Sequence, residues 1–383
     1  MASTIIISII LVLLFVHFVL IESYRKWFLK VEPFEATKAT VPSIFFSVII
    51  PARNEEDQIG KCLRSVLSQS YPPHLFEVIV ADDYSTDNTA GVVQQMQNEY
   101  ENLRILQIEQ LLQGKQLNSY KKKALELAIQ EAKGDWIVTT DADCAVTKEW
   151  LFNFSTFIQQ NNSVFVAAPV KFINTGSFVS VFQCLDFISL QGITAASVHA
   201  GFHTMCNGAN LAYNKRVFYE VHGFNGIDNI ASGDDMLLMH KIYTRYKKQV
   251  HYLFSQQSIV DTLPMQTWKD FFNQRIRWAS KADKFEDKRI LFVLIFVYFF
   301  NLSFLLLLIA SIWFHYMIWY LFAMLVAKTI IDFRFMVPVA KFFKEEKLLW
   351  WFPFMQPFHI GYTIIAGWLG KFGKYSWKGR VVK

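Results

Sequence analysis

The sequence predicts an α/β fold: a mainly parallel sheet flanked by helices, with transmembrane helices at the N- and C-terminal ends. Three observations support it. Residues 46 to about 265 alternate strand-like and helix-like runs, which is the signature of strands joined by helical crossovers. Several of those strand runs end in acidic or polar residues. The hydrophobic content, 53% of 383 residues with 37 Phe and 11 Trp, exceeds the roughly 45–50% usual for soluble domains. That excess is gathered at the two ends.

In chain order, Ile5 to Ile21 is almost wholly apolar, with His17 the main interruption. The run approaches the roughly 17–25 residues that span a bilayer. No positive stretch precedes it and no small-residue cleavage site follows, so residues 1–24 read as a retained anchor rather than a signal peptide. Arg25, Lys26 and Lys30 come after the run, and the positive-inside rule then puts the next domain in the cytoplasm. Residues 25–45 read as a linker.

Within the central domain, 46–265, Phe46 to Ile50 is a strand stopped by Pro51. Asp57 to Gln69 has helical spacing, with Ile59, Cys62, Leu63, Val66 and Leu67 on one face. Phe76 to Val80 is a second strand running into Asp82-Asp83, and Thr86 to Glu99 a second helix. Arg104 to Ile108 is a third strand. Lys122 to Ala132 is a helix for which Gly134 is the expected C-cap. Trp136 to Thr140 is a fourth strand that delivers Asp141-Ala142-Asp143. Phe178 to Val198, rich in Phe and Leu, is expected to lie on the bilayer as a helix.

Residues 266–289 suit an amphipathic helix at the interface, pairing Trp268, Phe271, Phe272 and Trp278 with Lys269, Arg275 and Lys281. Residues 290–383 form the C-terminal membrane region. Ile290 to Phe314 has no charged residue, and Tyr316 to Ile331 is broken only by Lys328, so the two read as a helical hairpin. Leu348 to Leu369 is apolar but interrupted by Pro353, Pro357 and Gly361. A full span there would export the tail bearing Lys371, Lys374, Lys378, Arg380 and Lys383. The charge rule favours an interfacial or re-entrant segment, and an exported tail stays open.

The net charge of +6 is modest, and the basic residues sit beside the apolar segments, which suits membrane lipids rather than nucleic acid. Cys62, Cys144, Cys184 and Cys206 form no paired motif, so neither a disulfide framework nor a zinc site is expected. Loops fitted to ATP or dinucleotides, and a serine nucleophile elbow, are missing from the sequence.

In parallel sheets ligands bind beyond the carboxyl ends of the strands. The segments starting at Pro51, Ala81 and Asp141 would therefore share one rim. Alternation along a strand sends Asp141 and Asp143 to the same side, where hard oxygen ligands suit Mg²⁺ or Mn²⁺.

Five motifs in this order, Pro51-Ala-Arg-Asn-Glu-Glu, Asp82-Asp83-Tyr-Ser-Thr-Asp87, Asp141-Ala-Asp143 following Gly134-Asp, Ser232-Gly-Asp234-Asp235-x-x-Leu238 and Gln274-Arg-Ile-Arg277-Trp278, resemble glycosyltransferase family 2. The likeness is to its membrane type, which includes cellulose, chitin and hyaluronan synthases and ceramide glucosyltransferase. It covers residues from about 46 to 280.

The resemblance implies a GT-A fold and an inverting transfer of a sugar from a nucleotide-diphospho-sugar, usually a UDP-sugar. It places Pro51, Arg53 and Glu55 around the nucleoside and Asp82 and Asp83 on base and ribose. Asp143 is implied as the direct metal ligand, with Asp141 supporting it or binding donor. Lys121 would lie near the donor, although Glu126 stands where the family often has Asn. Asp235 is implied as general base, beside Asp234 in place of the family's Glu. Gln274, Arg277 and Trp278 are implied at the diphosphate and the acceptor end, and Asn207, Gly208 and Asn210 at the acceptor-side floor.

These expectations describe a multi-pass protein of the inner or plasma membrane. Its acceptor would be a lipid or a glycan, with an oligomer or export partner open. A processive polysaccharide synthase is the alternative within the class, and a transporter or a non-catalytic nucleotide-sugar-binding scaffold the alternative outside it.

Overall fold

The computed structural model describes residues 2–37, 40–112, 119–228, 230, 233–373, 375–377 and 380–382. Ser232 of the acidic motif and Lys374, Lys378 and Lys383 of the basic tail lie outside the described residues. The chain begins with helix α1 (Ala2–Phe28). It continues through β1 (Phe46–Ala52), α2 (Ile59–Leu67), β2 (Phe76–Asp82), α3 (Thr89–Gln97), β3 (Leu103–Gln107), the short α4 (Ile108–Leu112), α5 (Tyr120–Glu131) and β4 (Trp136–Thr139). Next come α6 (Trp150–Asn161), β5 (Phe165–Ala167), β6 (Val170–Phe172), α7 (Phe178–Ala200), β7 (Leu211–Asn214), α8 (Lys215–Glu220), α9 (Asp234–Arg245), β8 (Val250–Tyr252) and β9 (Val260–Thr262). Helices α10 (Trp268–Ala279), α11 (Lys288–Trp313), α12 (Met317–Phe343) and α13 (Phe352–Phe372) follow.

Seven strands form one sheet in the order β3-β2-β1-β4-β7-β5-β8. β1, β2, β3 and β4 run parallel, so the expected rim exists: β1 lies between β2 and β4, and their carboxyl ends are adjacent. The mainly parallel α/β arrangement is as the strand–helix alternation predicts. β1, β2 and β4 are buried on both faces, which explains their largely apolar sequences.

One strand departs from the parallel pattern. β7 runs antiparallel to both β4 and β5, with Leu211 beside Thr139. The reversal means that residues just before β7 arrive at the same rim that β4 reaches at its end.

Gly134 is not a C-cap. Helix α5 ends at Glu131 with an extended Ala132, and the Gly134 N–H donates to Ser47 Oγ at 2.8 Å. A Cβ at Gly134 would stand 2.7 Å from the Ser47 nitrogen and 2.8 Å from the Phe45 oxygen, so glycine is required by close backbone approach.

Three described helices are long and apolar enough to cross a membrane: Ile6–Phe28, α7 and α11. α7 does not lie as an exposed helix on a bilayer. Most of it is buried within the protein, its first half among the core and its length against α1. The expected hairpin is present as α11 and α12, but α12 runs on to Phe343, placing Lys328 and Asp332 well inside it. α13 is continuous through Pro357, where the sequence suggested a break. α10 is not simply interfacial either. Arg275 is 3% exposed and lies 2.7 Å from Asp186 of α7, with its guanidinium over the Trp278 ring.

Candidate active site

The loops after β1 and β2 are joined by hydrogen bonds across the sheet end. Asn54 adopts a left-handed backbone and its Oδ1 accepts from the Thr86 N–H at 2.8 Å. The Glu55 N–H donates to Thr89 Oγ1 at 2.8 Å, the Glu56 N–H to Asp87 Oδ2 at 3.1 Å, and the Asn88 N–H to Glu56 Oε2 at 2.8 Å. Arg53 donates to the Asp83 and Tyr84 carbonyls at 2.7 and 3.1 Å, which fixes its guanidinium against the second loop. Asp82 and Asp83 are both buried, and burial pushes the Asp82 carboxyl above the ordinary aspartate range.

At the end of β4, Lys121 from α5 reaches Asp141 at 2.8 Å and stands 3.6 Å from Asp234 of α9. Burial disfavours the ammonium, but Asp141, Asp234 and Asp235 outweigh it and hold its pKa above the usual lysine range. The reciprocal holds for Asp234: burial pushes it up, and Lys121 and Lys281 together bring it below the ordinary carboxylate value. Asp235 is held differently. Its Oδ2 accepts from the Gly208 N–H at 3.0 Å and its Oδ1 from the Met236 N–H at 2.7 Å. Gly233, in the left-handed region, turns the chain into α9 so that both aspartates open its first turn.

These groups line a single cavity of about 1710 Å³. Pro51, Arg53, Glu55, Asp83, Lys121, Asp141, Asp143, Asn207, Gly208, Asp234, Asp235, Gln274, Arg277 and Trp278 all face it. Two predicted residues do not. Asp82 lies beneath the rim, and Asn210 stands behind the wall with its amide engaged elsewhere. The Asn210 Nδ2 donates to the Pro169 and Ser258 carbonyls, each at 2.7 Å, while its Oδ1 accepts from Trp150 Nε1 at 2.9 Å. His203 lines the cavity and is hydrogen-bonded to Tyr24 at 2.9 Å, with burial pushing its pKa down to about 4.

Sequence reasoning missed Lys281 as a site residue, having read it as one of the charges of an interfacial amphipathic helix. It lines the cavity, and its charge is lowered in pKa by burial and supported by Asp235. The available signal was its position one helical turn beyond Arg277.

Among the described residues, no cluster of three or more His, Cys, Asp or Glu side chains gathers to hold a metal. Asp141 and Asp143, both on the cavity wall, supply two carboxylates. That set fits a cation whose remaining ligands are phosphate oxygens and water, the usual mode for Mg²⁺, rather than an all-protein cage.

Comparison with known proteins agrees with the family resemblance. The model of Glycosyl transferase family 2 matches residues 47–220, and that of Glycosyl transferase family group 2 matches residues 136–365. Glycosyltransferase AglE of Haloferax volcanii is 35% identical over 153 residues, covering 40% of this chain and 47% of that protein. The probable glycosyltransferase YdaM of Bacillus subtilis is 24% identical over 310 residues, 76% of this chain and 71% of YdaM. The chain thus spans less than half the length of AglE. Among solved structures, the mannosyltransferase PcManGT of Pyrobaculum calidifontis, in complex with GDP-Man and Mn²⁺, aligns over 97% of this chain and 99% of its own at TM-score 0.60 and 18% identity, a likeness of fold. With the GT-A sheet in place and the second family model covering more than half the residues, the chain belongs to glycosyltransferase family 2.

Proposed function

We infer that the protein transfers a sugar, with inversion, from a nucleotide-diphospho-sugar (a UDP-sugar by the family's habit) to a lipid-linked or glycan acceptor at the cytoplasmic face of a membrane. The observation that carries this reading is the convergence of Arg53, Asp83, Asp141, Asp143, Asp235 and Arg277 on one cavity, from widely separated motifs.

In this reading Arg53, Glu55 and Asp83 receive the nucleoside, and Asp82 supports them from below. Asp235 is the general base. Two backbone amides orient its carboxylate, whereas Asp234 is engaged by Lys121, which leaves Asp235 the better placed for proton abstraction. The acceptor hydroxyl loses its proton to Asp235 as its oxygen bonds to the anomeric carbon. The bond from that carbon to the diphosphate oxygen breaks on the opposite face, and the nucleoside diphosphate leaves with the electron pair. Lys121, Arg277 and Lys281 surround the position where this negative charge grows, and fixed charges of that kind contribute most in a site shielded from water. Asp141 and Asp143 would hold Mg²⁺ or Mn²⁺ on the diphosphate, where a divalent ion neutralises charge on the leaving oxygens. Gln274 and Trp278 complete the wall towards the acceptor, with Asn207 and Gly208 as its floor.

The test is Asp235→Asn. Nucleoside diphosphate binding, followed by calorimetry, should change by less than about threefold, while sugar transfer with a panel of nucleotide sugars falls by about 10²–10⁴. Unchanged turnover would remove Asp235 as the base. No release of nucleoside diphosphate by the folded wild-type protein with any donor and acceptor would remove the whole reading.

A further inference from the structure

Along their length the charges of α1 and α12 are matched. Lys328 Nζ lies 2.6 Å from Asp332, whose other oxygen meets His17 Nε2 at 2.7 Å, and Arg25 pairs with Glu22 at 2.6 Å. A charge on an apolar helix is costly unless paired in this way. The C-terminal ends of the same two helices follow a different rule.

Those ends meet on one ring. Phe28, the last residue of α1, stands edge-on to Phe254 with centroids 5.2 Å apart, and Phe342, in the last turn of α12, stacks on the same ring at 3.8 Å. Lys26 belongs to the last turn of α1, and Lys341, Lys344 and Lys347 lie in and just after the last turn of α12. All four are exposed, and among the described residues none of their ammonium groups makes an ion pair. Nearby carboxylates offset them only in part. Glu345 turns back to Lys171 at 3.0 Å, Glu346 stays exposed beside Lys347, and exposed Lys30 and Glu32 past α1 cancel each other. None of the four lysines lines the catalytic cavity.

Lys344 is the informative member. It ends α12 in the left-handed region at φ 58°, where glycine is the common residue because a Cβ is disfavoured. The Lys344 N–H donates to the Lys341 carbonyl at 3.3 Å and the Glu345 N–H to the Ala340 carbonyl at 2.9 Å, so backbone alone closes the cap. The helix dipole accounts for a lysine at 341, within the last turn, but does not call for a second one in the strained position. Aromatic side chains come next in the chain: Trp350 is 84% exposed, Trp351 49% and Phe354 69%. Water gives such rings nothing to pack on, whereas the headgroup level of a bilayer accommodates indole and lysine together.

We propose that this basic collar at the ends of α1 and α12 binds anionic phospholipid headgroups of the cytoplasmic leaflet, at a place separate from the catalytic cavity. The inference rests on the membrane placement in the proposed function and is independent of the chemistry of transfer. A lysine held near an anionic lipid surface is worth about fivefold in affinity, so several acting together discriminate between lipids that differ only in headgroup charge.

The experiment uses the full chain in dodecylmaltoside micelles with radiolabelled dioleoylphosphatidylglycerol and dioleoylphosphatidylcholine as competing probes, and with nucleoside diphosphate affinity measured in the same samples. Phosphatidylglycerol should bind about tenfold more tightly or better at low salt, and the margin should shrink in about 0.5 M NaCl as screening acts. The joint variant Lys341→Gln, Lys344→Gln, Lys347→Gln should lose most of that margin. Lys61→Gln, Lys133→Gln and Lys148→Gln together, an equal change in net charge at exposed positions of the catalytic domain, should leave it within about twofold. Lys344→Gly removes one charge and relaxes the cap, so the melting temperature should hold or rise while phosphatidylglycerol affinity falls about fivefold. Equal binding of the two lipids by the wild-type protein overturns the proposal. So does an equal loss in the control variant, or a Lys344→Gly protein that binds phosphatidylglycerol like wild type. If the joint variant does not fold, Lys344→Gly decides. Failure of nucleoside diphosphate to bind the wild-type protein counts against the transferase reading instead, so the two failures are distinguishable.

Discussion

Lys122 is the neighbour of a site lysine and has a different environment. It is 1% exposed, and its ammonium donates to the Ile227 and Ile230 carbonyls at 2.7 and 2.6 Å, tying α5 to the segment that leads into α9. Burial lowers its pKa to about 8 from an ordinary 10.5. Between those values the unfolded chain binds more protons than the folded one, so Lys122 makes stability rise with pH across that window and adds no slope below it. Lys122→Met should flatten the rise in melting temperature between pH 8 and 10 relative to wild type, as read by scanning fluorimetry in a buffer series. Gly134 gives a second prediction at this scale. Gly134→Ala puts a methyl group against the Phe45–Ser47 backbone and should cost about 1–3 kcal/mol, measured by denaturant unfolding of the detergent-solubilised protein.

Among elements, the joint between α7 and α10 matters most. Asp186 and Arg275 are both buried, so Arg275→Leu alone leaves a carboxylate without its cation and should lower stability by about 3–5 kcal/mol, whereas the double change Asp186→Leu with Arg275→Leu should recover most of it. Thermal unfolding of the three variants checks this. The sequence shows why such a joint is hard to foresee. Short-range patterns exposed β1, β2 and β4 and their acidic ends, because buried parallel strands are continuous apolar runs and rim residues follow them directly. The same patterns read Arg275 as a charge on an interfacial helix, and the family resemblance read Asn210 as an acceptor contact. Helical periodicity tells which side chains share a face but not which distant helix that face meets. The antiparallel β7 was equally hidden, since Leu211–Asn214 is too short to show a period and its direction depends on where the chain has been.

For the whole molecule, α1 is built into the fold rather than set apart from it. It supplies His17 to the Asp332 cluster and Tyr24 to His203, and it packs along α7 and α12. Replacing residues 2–28 with an unrelated apolar helix of equal length should therefore lower the melting temperature and disperse the protein on size-exclusion chromatography, where a mere tether would be exchangeable. The undivided cavity has a further consequence for ligand design. In the proposed function nucleoside diphosphate and acceptor would occupy the same cavity, so a single molecule joining the two by a linker of matching reach binds its second half at high effective concentration. Such a bivalent compound should exceed either half in affinity by about 10²–10⁴ without touching any new residue, and an inhibitor series built on linker length would measure the distance between the two ends.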